Sequence, residues 1–159
     1  MEIEAKLHAL GLALPEPMRV SGMKLPFAPV RVRGNRAFIS GAGPLNADGT
    51  LAEPLGKVGA DLTLEQGYAA ARLTGLVILG SLKRELGDLD RVTAWLRVFG
   101  MVNVAPGFTQ TPSVINGFSD LILELYGTER GTHARSAVGL AELPLRIPVE
   151  IEAEVEITG

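Results

Sequence analysis

Apolar residues recur along this chain at two different periods, and the switches between them mark out its elements. From 149 to 157 they occupy every second position, Val149, Ile151, Ala153, Val155 and Ile157. Glu150, Glu152, Glu154 and Glu156 lie between them, so the run reads as a half-buried strand with four carboxylates on one face. Residues 132–142 alternate too, with Ala134, Ser136, Val138 and Leu140 on one side and His133, Arg135, Ala137, Gly139 and Ala141 on the other. The proline-marked link between the runs predicts a terminal hairpin whose turn, Leu143 to Pro148, sets Gly139 to Ala141 against Glu150.

Helical spacing dominates the middle. Leu64, Tyr68, Ala71, Gly75, Ile78, Leu82 and Leu86 form one stripe, capped by Asp61 or by Thr63 with Gln66 in the capping-box position, and stopped by Gly87. Gly67, Gly75 and Gly80 read as contacts that let this helix approach a sheet. Thr111-Pro112 opens a second helix, running to Tyr126 and stopping at Gly127. Ile115, Phe118, Ile122 and Leu125 are its buried stripe, with Asn116 and Ser119 on another flank. A short helix over Glu2 to Leu12 precedes an extended connector punctuated by Pro15, Pro17, Gly22 and Pro26.

Strands are expected at Phe27 to Val32 and Ala37 to Ser40, around an Arg-Gly-Asn-Arg turn at 33–36 in which Gly34-Asn35 takes positive φ. A second turn at 46–49 leads to a brief edge strand near Leu51. Arg91 to Val102 carries apolar bulk on both faces, which predicts an interior strand. Strict alternation puts Val92, Ala94, Leu96 and Val98 opposite Trp95 and Phe99. The order predicts an α+β domain: one mixed sheet, two main helices on one of its faces, and a short N-terminal helix. The other face, carrying Trp95, Phe99 and Met101, would then be open to water, which predicts self-association.

Composition narrows the function classes. With 159 residues and 47% hydrophobic positions the chain fits a single domain with a substantial core. A net charge of −3 supplies no basic footprint for nucleic acid, and Arg31, Arg33 and Arg36 read as a solvated edge. No apolar run reaches the ~18 residues of a membrane span, and no signal-peptide pattern opens the chain. Cysteine is absent, which removes disulfides, thiolate metal sites and thiol nucleophiles. The expected setting is cytoplasmic.

Arg135 is the chemically conspicuous residue. Small neighbours on its own strand face leave a hollow beside a guanidinium that needs acceptors, and two readings stand: pairing with glutamates of an adjacent strand, or bidentate capture of a ligand carboxylate. Glu150 lies more than ~10 Å along the hairpin at 3.3 Å per residue, so a pocket using both groups would draw them from different copies. His133 shares the face of Arg135 and can reach the same pocket. With His8 as the only other histidine, a histidine-based metal site or relay has little to work with.

The run Ala134-Arg135-Ser136-Ala137-Val138-Gly139-Leu140-Ala141-Glu142-Leu143-Pro144, followed by Val149-Glu150-Ile151-Glu152-Ala153, resembles the C-terminal signature of the RidA (YjgF) family. Val30 to Gly41, ending Phe38-Ile39-Ser40-Gly41, resembles that family's first hairpin and Ser-Gly motif. The likeness covers Phe27 to Ile157 and points to a longer, less characterised subgroup. It implies a chorismate-mutase-like fold for residues 27–159, with residues 1–26 as an N-terminal helix and connector. It also implies a homotrimer with clefts between subunits that hydrolyse 2-imino or enamine acids to 2-keto acids and ammonia. Arg135 would hold the substrate carboxylate and Glu150 would position water. Phe27, Ser40, Gly41, Ala137 and either Asn116 or Ser119 would line the cleft. No metal or organic cofactor is implied.

Phe27 replaces a family tyrosine, and Ala137 stands where a polar side chain is common. Both departures favour an alternative reading, a non-catalytic trimer that binds small carboxylate metabolites. Family members described as ribonucleases or translation inhibitors supply a third reading, ranked last because the chain is acidic and lacks a histidine acid/base pair.

Overall fold

In the computed structural model, which describes residues 1–20, 22 and 24–159, the chain opens with helix α1, Glu2–Ala9, and an extended connector. Strands β1, Val30–Arg33, and β2, Arg36–Ala42, follow as an antiparallel hairpin. Gly34 alone takes the left-handed conformation in that turn, at φ 59°. Helix α2, Leu64–Leu86, begins with the expected capping box of Thr63 and Gln66 and ends at Gly87, φ 82°. A 3₁₀ turn, Leu89–Arg91, leads into β3, Val92–Asn103, then α3, Thr111–Gly131, β4, Ala134–Leu140, a second 3₁₀ turn at Pro144–Arg146, and β5, Val149–Ile157. The five-stranded sheet has the order β1-β2-β5-β3-β4; only β3 and β4 run parallel. This is the expected chorismate-mutase-like α+β architecture.

The terminal hairpin does not form. Strand β3 lies between β4 and β5 and pairs with both, so Gly139 opposes Val102 and Glu150 opposes Met101. The reason is connectivity: α3 carries the chain from the end of β3 back to its start, the crossover a parallel pair requires. The proline-rich link is a loop in which Leu145 and Arg146 both adopt left-handed φ, at 57° and 60°.

A second correction concerns β3 itself. Its register against β5 slips between Val92 and Ala94 and again between Trp95 and Arg97. Each slip adds one residue and reverses the faces, so Val92, Trp95, Val98, Gly100 and Val102 all turn toward the helices. Trp95 is therefore buried rather than open to water, 1% exposed, with its ring edge-on to Phe118 at 5.8 Å and Tyr126 at 5.7 Å. The uncovered face instead carries the arginines of β1 and β2, Phe38, Arg97, Phe99 and the four glutamates of β5. Arg36 pairs with Glu154 there at 2.5 Å.

Small residues set how closely the layers approach. A Cβ on Gly100 would lie 2.6 Å from the Ile115 side chain, so α3 rests directly on β3. Two of the α2 glycines face α3 rather than the sheet: a Cβ on Gly75 would lie 2.8 Å from Leu121, and one on Gly67 3.2 Å from Val114, whereas one on Gly80 would lie 3.4 Å from the Pro15 carbonyl of the connector. The predicted α3 stripe of Ile115, Phe118, Ile122 and Leu125 is fully buried. Gln110, not Thr111, occupies the cap of α3, and Gly127, φ 74° and ψ 177°, breaks the helix where the sequence predicts its end, before a last turn to Gly131. Among the described residues no helix is long and apolar enough to cross a membrane.

Gly117 is the tightest point between α2 and α3, since a Cβ there would run into the Tyr68 carbonyl oxygen and sit 3.2 Å from Ala71 Cβ. Helix propensity alone would make Gly117→Ala stabilising by ~1 kcal/mol. The clash is with backbone, so the expected result of urea unfolding is a net loss of about 1–3 kcal/mol.

Candidate functional site

The residues singled out from sequence gather into two clusters on opposite faces of the sheet. Arg135 pairs with Val98, on the helix side, whereas Glu150 pairs with Met101, on the uncovered side. They are also three positions apart along the strands and two strands apart across them, roughly 10 Å in each direction. Within one chain they cannot share a ligand.

The first cluster belongs to the edge strand β4 and the adjoining flank of α3. Arg135 donates through Nη1 to Asn116 Oδ1 at 2.8 Å and to Ser119 Oγ at 3.0 Å, and Nη2 reaches the Pro112 carbonyl at 3.4 Å. Asn116 and Ser119 therefore both accept from it. Burial pulls the guanidinium below its ordinary pKa, with Asp120 opposing. Cross-strand pairing with the β5 glutamates is excluded by β3 lying between, and among the described residues no carboxylate stands within ion-pair distance of Arg135. Ala137, two residues on, presents only a methyl group to the same face.

His133 acts behind this cluster. Its Nδ1 lies 2.7 Å from the Gly131 carbonyl and can only donate there, so in the neutral ring Nε2 accepts from Ser119 Oγ at 2.9 Å. The Ser119 oxygen is thereby turned toward Arg135. Burial, with the neighbouring guanidinium adding to it, holds the imidazole below its ordinary pKa and keeps it neutral, while the Gly131 hydrogen bond opposes. Sequence parity puts His133 on the face of Arg135; its link through Ser119 depends on how α3 packs, which no strand pattern records.

The second cluster lines a cavity of about 580 Å³ beside β2. Phe27, Ser40, Gly41 and Glu150 all border it. Strand β2 bulges between Ile39 and Ala42, lifting Ser40 and Gly41 out of the ladder with β5. Ser40 is tied back to the segment before β1 by two bonds, its N–H to the Pro29 carbonyl at 2.9 Å and its hydroxyl to the Ala28 carbonyl at 2.7 Å. Gly41 lies in close contact with Glu150, and a Cβ there would push the Glu150 carboxylate aside. Burial, reinforced by the charge of Glu152, raises the Glu150 pKa above the ordinary glutamate value. Of the four glutamates on this face, Glu150 alone borders the cavity.

Sequence reasoning gave no role to Lys57 and Asn103, which lie behind the Ile147 wall of this cavity, or to the connector side chains that line it. Lys57 donates to Asn103 Oδ1 at 2.9 Å and to the Ala141 carbonyl, while buried Asn103 reaches the Ile147 carbonyl at 3.3 Å, so the loops before α2 and before β5 close over one end of the sheet. Met18, Val20 and Leu25 of the connector form part of the wall. None of these follows a strand or helix period, and only the fold brings them to the site.

Known proteins share this fold over nearly the whole chain. The family described as "YjgF/chorismate mutase-like, putative endoribonuclease" matches residues 4–149. Protein TCP17 of Trypanosoma cruzi is 39% identical over 157 residues, covering 99% of this chain and 95% of that protein. Protein Atu1372 of Agrobacterium tumefaciens superposes with a TM-score of 0.88 at 38% identity, over 98% of this chain and 92% of that one. A Shewanella oneidensis protein called a "putative endoribonuclease" superposes with a TM-score of 0.89 at 33% identity, over 99% and 100%. The family match over residues 4–149 and a relative 39% identical over nearly the whole chain make this chain a member of the YjgF/RidA family.

Proposed function

We propose that the protein forms homotrimers whose inter-subunit clefts hydrolyse 2-imino or enamine acids to 2-keto acids and ammonia. The observation that carries this reading is the division of the charged pair. Arg135 stands on an edge strand with no carboxylate partner, Glu150 lies on the opposite face against Gly41, and a second copy is needed to bring them to one ligand. Three Arg135 hydrogen bonds, from Nη1 to Asn116 and Ser119 and from Nη2 to the Pro112 carbonyl, orient the guanidinium and leave two of its five N–H donors for a substrate carboxylate.

The chemistry asks little of the protein beyond placement. An imine carbon is already electrophilic, so the catalytic need is a water held at C2 and a base for its proton. In this reading the Glu150 carboxylate accepts a proton as the water oxygen bonds to C2 and the C=N electron pair moves to nitrogen, and it delivers that proton to the nitrogen to give the carbinolamine. Glu150 then accepts the carbinolamine hydroxyl proton and passes it to the nitrogen as the C=O bond forms, the C–N bond breaks and ammonia leaves. Its raised pKa favours both transfers, since a carboxylate nearer neutrality is the better base and its acid form is accessible for the return.

The second reading, carboxylate binding without turnover, draws support from Phe27 and Ala137. The Phe27 ring lines the cavity without a hydroxyl, and Ala137 adds no polar group beside Arg135. A ribonuclease reading finds no acid/base pair here, because the one histidine near the cluster is held neutral by burial and has both ring nitrogens engaged, by Gly131 and Ser119.

Keto-acid release from 2-iminobutyrate, generated in situ by a threonine dehydratase, tests these readings. Acceleration by the wild type is expected, with Arg135→Ala losing at least about a hundredfold in kcat/KM. Binding of 2-ketobutyrate without acceleration would leave the carboxylate-binding reading instead. Co-refolding Arg135→Ala with Glu150→Gln, each inactive alone, should recover about a quarter of wild-type activity if each cleft takes one group from each of two subunits. Failure to recover any would place both residues in a single-chain site or in none.

Activity should also fall as pH drops through the Glu150 pKa, because only the carboxylate can accept the water proton. Burial and the Glu152 charge raise that pKa, so the fall begins above the pH expected of an ordinary glutamate. Glu152→Gln removes one of the raising causes and should move the acid limb of kcat/KM to lower pH, a shift that a kinetic pH profile detects.

A further inference from the structure

We infer that the substrate carries a bulky apolar side group, and that the N-terminal connector is the wall that selects it. This inference rests on the imine-hydrolase reading and names the substrate class for the same cleft. A four-carbon 2-imino acid has about seven non-hydrogen atoms; even at the ~30 Å³ of a liquid water each, it would occupy roughly 200 Å³. The cavity beside Glu150 holds about 580 Å³, so well over half of it would stay empty around such a ligand.

The lining indicates what fills the remainder. Beyond the wall of Ser40, Gly41 and Glu150, the cavity is bordered by Met18, Val20 and Leu25 of the connector, Leu45 and Leu51 of the following loop, and Ile147. Among the described residues that line it, only Glu150 and Arg84 carry charge. Arg84 is already committed, donating to the Pro15 carbonyl at 3.2 Å and to Ser81 Oγ at 3.3 Å. A ligand entering from the Glu150 end therefore meets apolar surface and no second anion site.

The connector is a built wall. Glu16 N–H donates to the Ala47 carbonyl at 2.9 Å, and Arg19 donates to the carbonyls of Gly49 through its N–H at 3.0 Å and of Asp48 through Nε at 2.9 Å. At its far end the connector is held by the Ser40 bonds to Ala28 and Pro29. Gly49, at φ 84°, packs where a Cβ would strike the Pro17 carbonyl, so loop and connector interlock. With the carboxylate on Arg135 of a second copy and the imine carbon at Glu150, the group on C2 extends along this wall. An aromatic or branched aliphatic side group fits that space, and burying one is worth roughly a tenfold gain in affinity or more.

Calorimetric titration of the full-length protein with pyruvate, 2-ketobutyrate, 4-methyl-2-oxopentanoate and phenylpyruvate tests this. Parallel assays would follow imines made in situ from the matching amino acids by an amino-acid oxidase. Phenylpyruvate is expected to bind at least about tenfold more tightly than 2-ketobutyrate, with kcat/KM in the same order. Met18 is 42% exposed and tolerates a charge without threatening the fold, so Met18→Glu should shrink that ratio toward one. Equal or weaker binding of phenylpyruvate, with the small acids still bound and turned over, would overturn the inference while leaving the hydrolase reading intact. An unchanged ratio in Met18→Glu would remove the connector from the site. Absence of both binding and turnover across the series would overturn the hydrolase reading and this inference with it.

Discussion

Strand β3 is the constraint on which the rest of the structure depends, because it must satisfy two neighbours that run in opposite senses. Its antiparallel ladder with β5 and its parallel ladder with β4 share the stretch Arg97 to Val102. A parallel neighbour cannot follow directly in sequence, so α3 has to lie between β3 and β4 as the crossover and cover the sheet in doing so. Gly100 then has to be glycine, since Ile115 of that helix presses onto the strand at 2.6 Å from where a Cβ would stand. The same crossover puts the α3 flank of Asn116 and Ser119 beside β4, and so determines which groups Arg135 meets.

From that one arrangement the division of the site follows. β4 is last in the sheet and exposes an edge, while β5 is central and flanked on both sides. A residue on the helix-facing side of β4 and one on the uncovered side of β5 are separated by the thickness of the sheet as well as by two strand spacings. The fold thus makes two separate charged clusters, one cationic and held by α3, one acidic and held by the β2 bulge. Phe38, 43% exposed on the uncovered face, and Phe99 beside it leave apolar surface there alongside the charges, which the proposed second copy would bury.

How much of this could be read from the residues depends on whether the information is local. The face of Glu150 follows from strict alternation in β5, which has no irregularity against β3 between Val98 and Val102. The small neighbours of Arg135 are equally legible, and the capping box at Thr63 and the stop at Gly87 are written within a few residues of where they act. Trp95 could not be placed by the same rule, because each of two bulges adds a residue and reverses parity, and nothing in Val-Thr-Ala-Trp-Leu-Arg announces where a ladder will slip. The hairpin expectation failed for a different reason. A strand, a helix of some twenty residues and a further strand is also the signature of a parallel crossover, and that reading competes with the pairing of sequence neighbours.

The partners of Arg135 show the same limit from the side of chemistry. Alternation in β5 made its glutamates the natural partners for an arginine on a nearby strand, yet the acceptors come from a helix and are neutral. That difference bears on what the arginine is available to do. A guanidinium neutralised by a fixed carboxylate would have to give up an ion pair before it could hold a ligand, at a cost comparable to the binding it gains. Oriented by an amide oxygen, a hydroxyl and a carbonyl, Arg135 keeps its full charge and still has its direction fixed. Ser119 turns its lone pairs to Arg135 because His133, held neutral by its surroundings, accepts the hydroxyl hydrogen bond on its far side. The side chains that make the charge usable are therefore uncharged ones, which is why charge patterning along the sequence could locate Arg135 but not its setting.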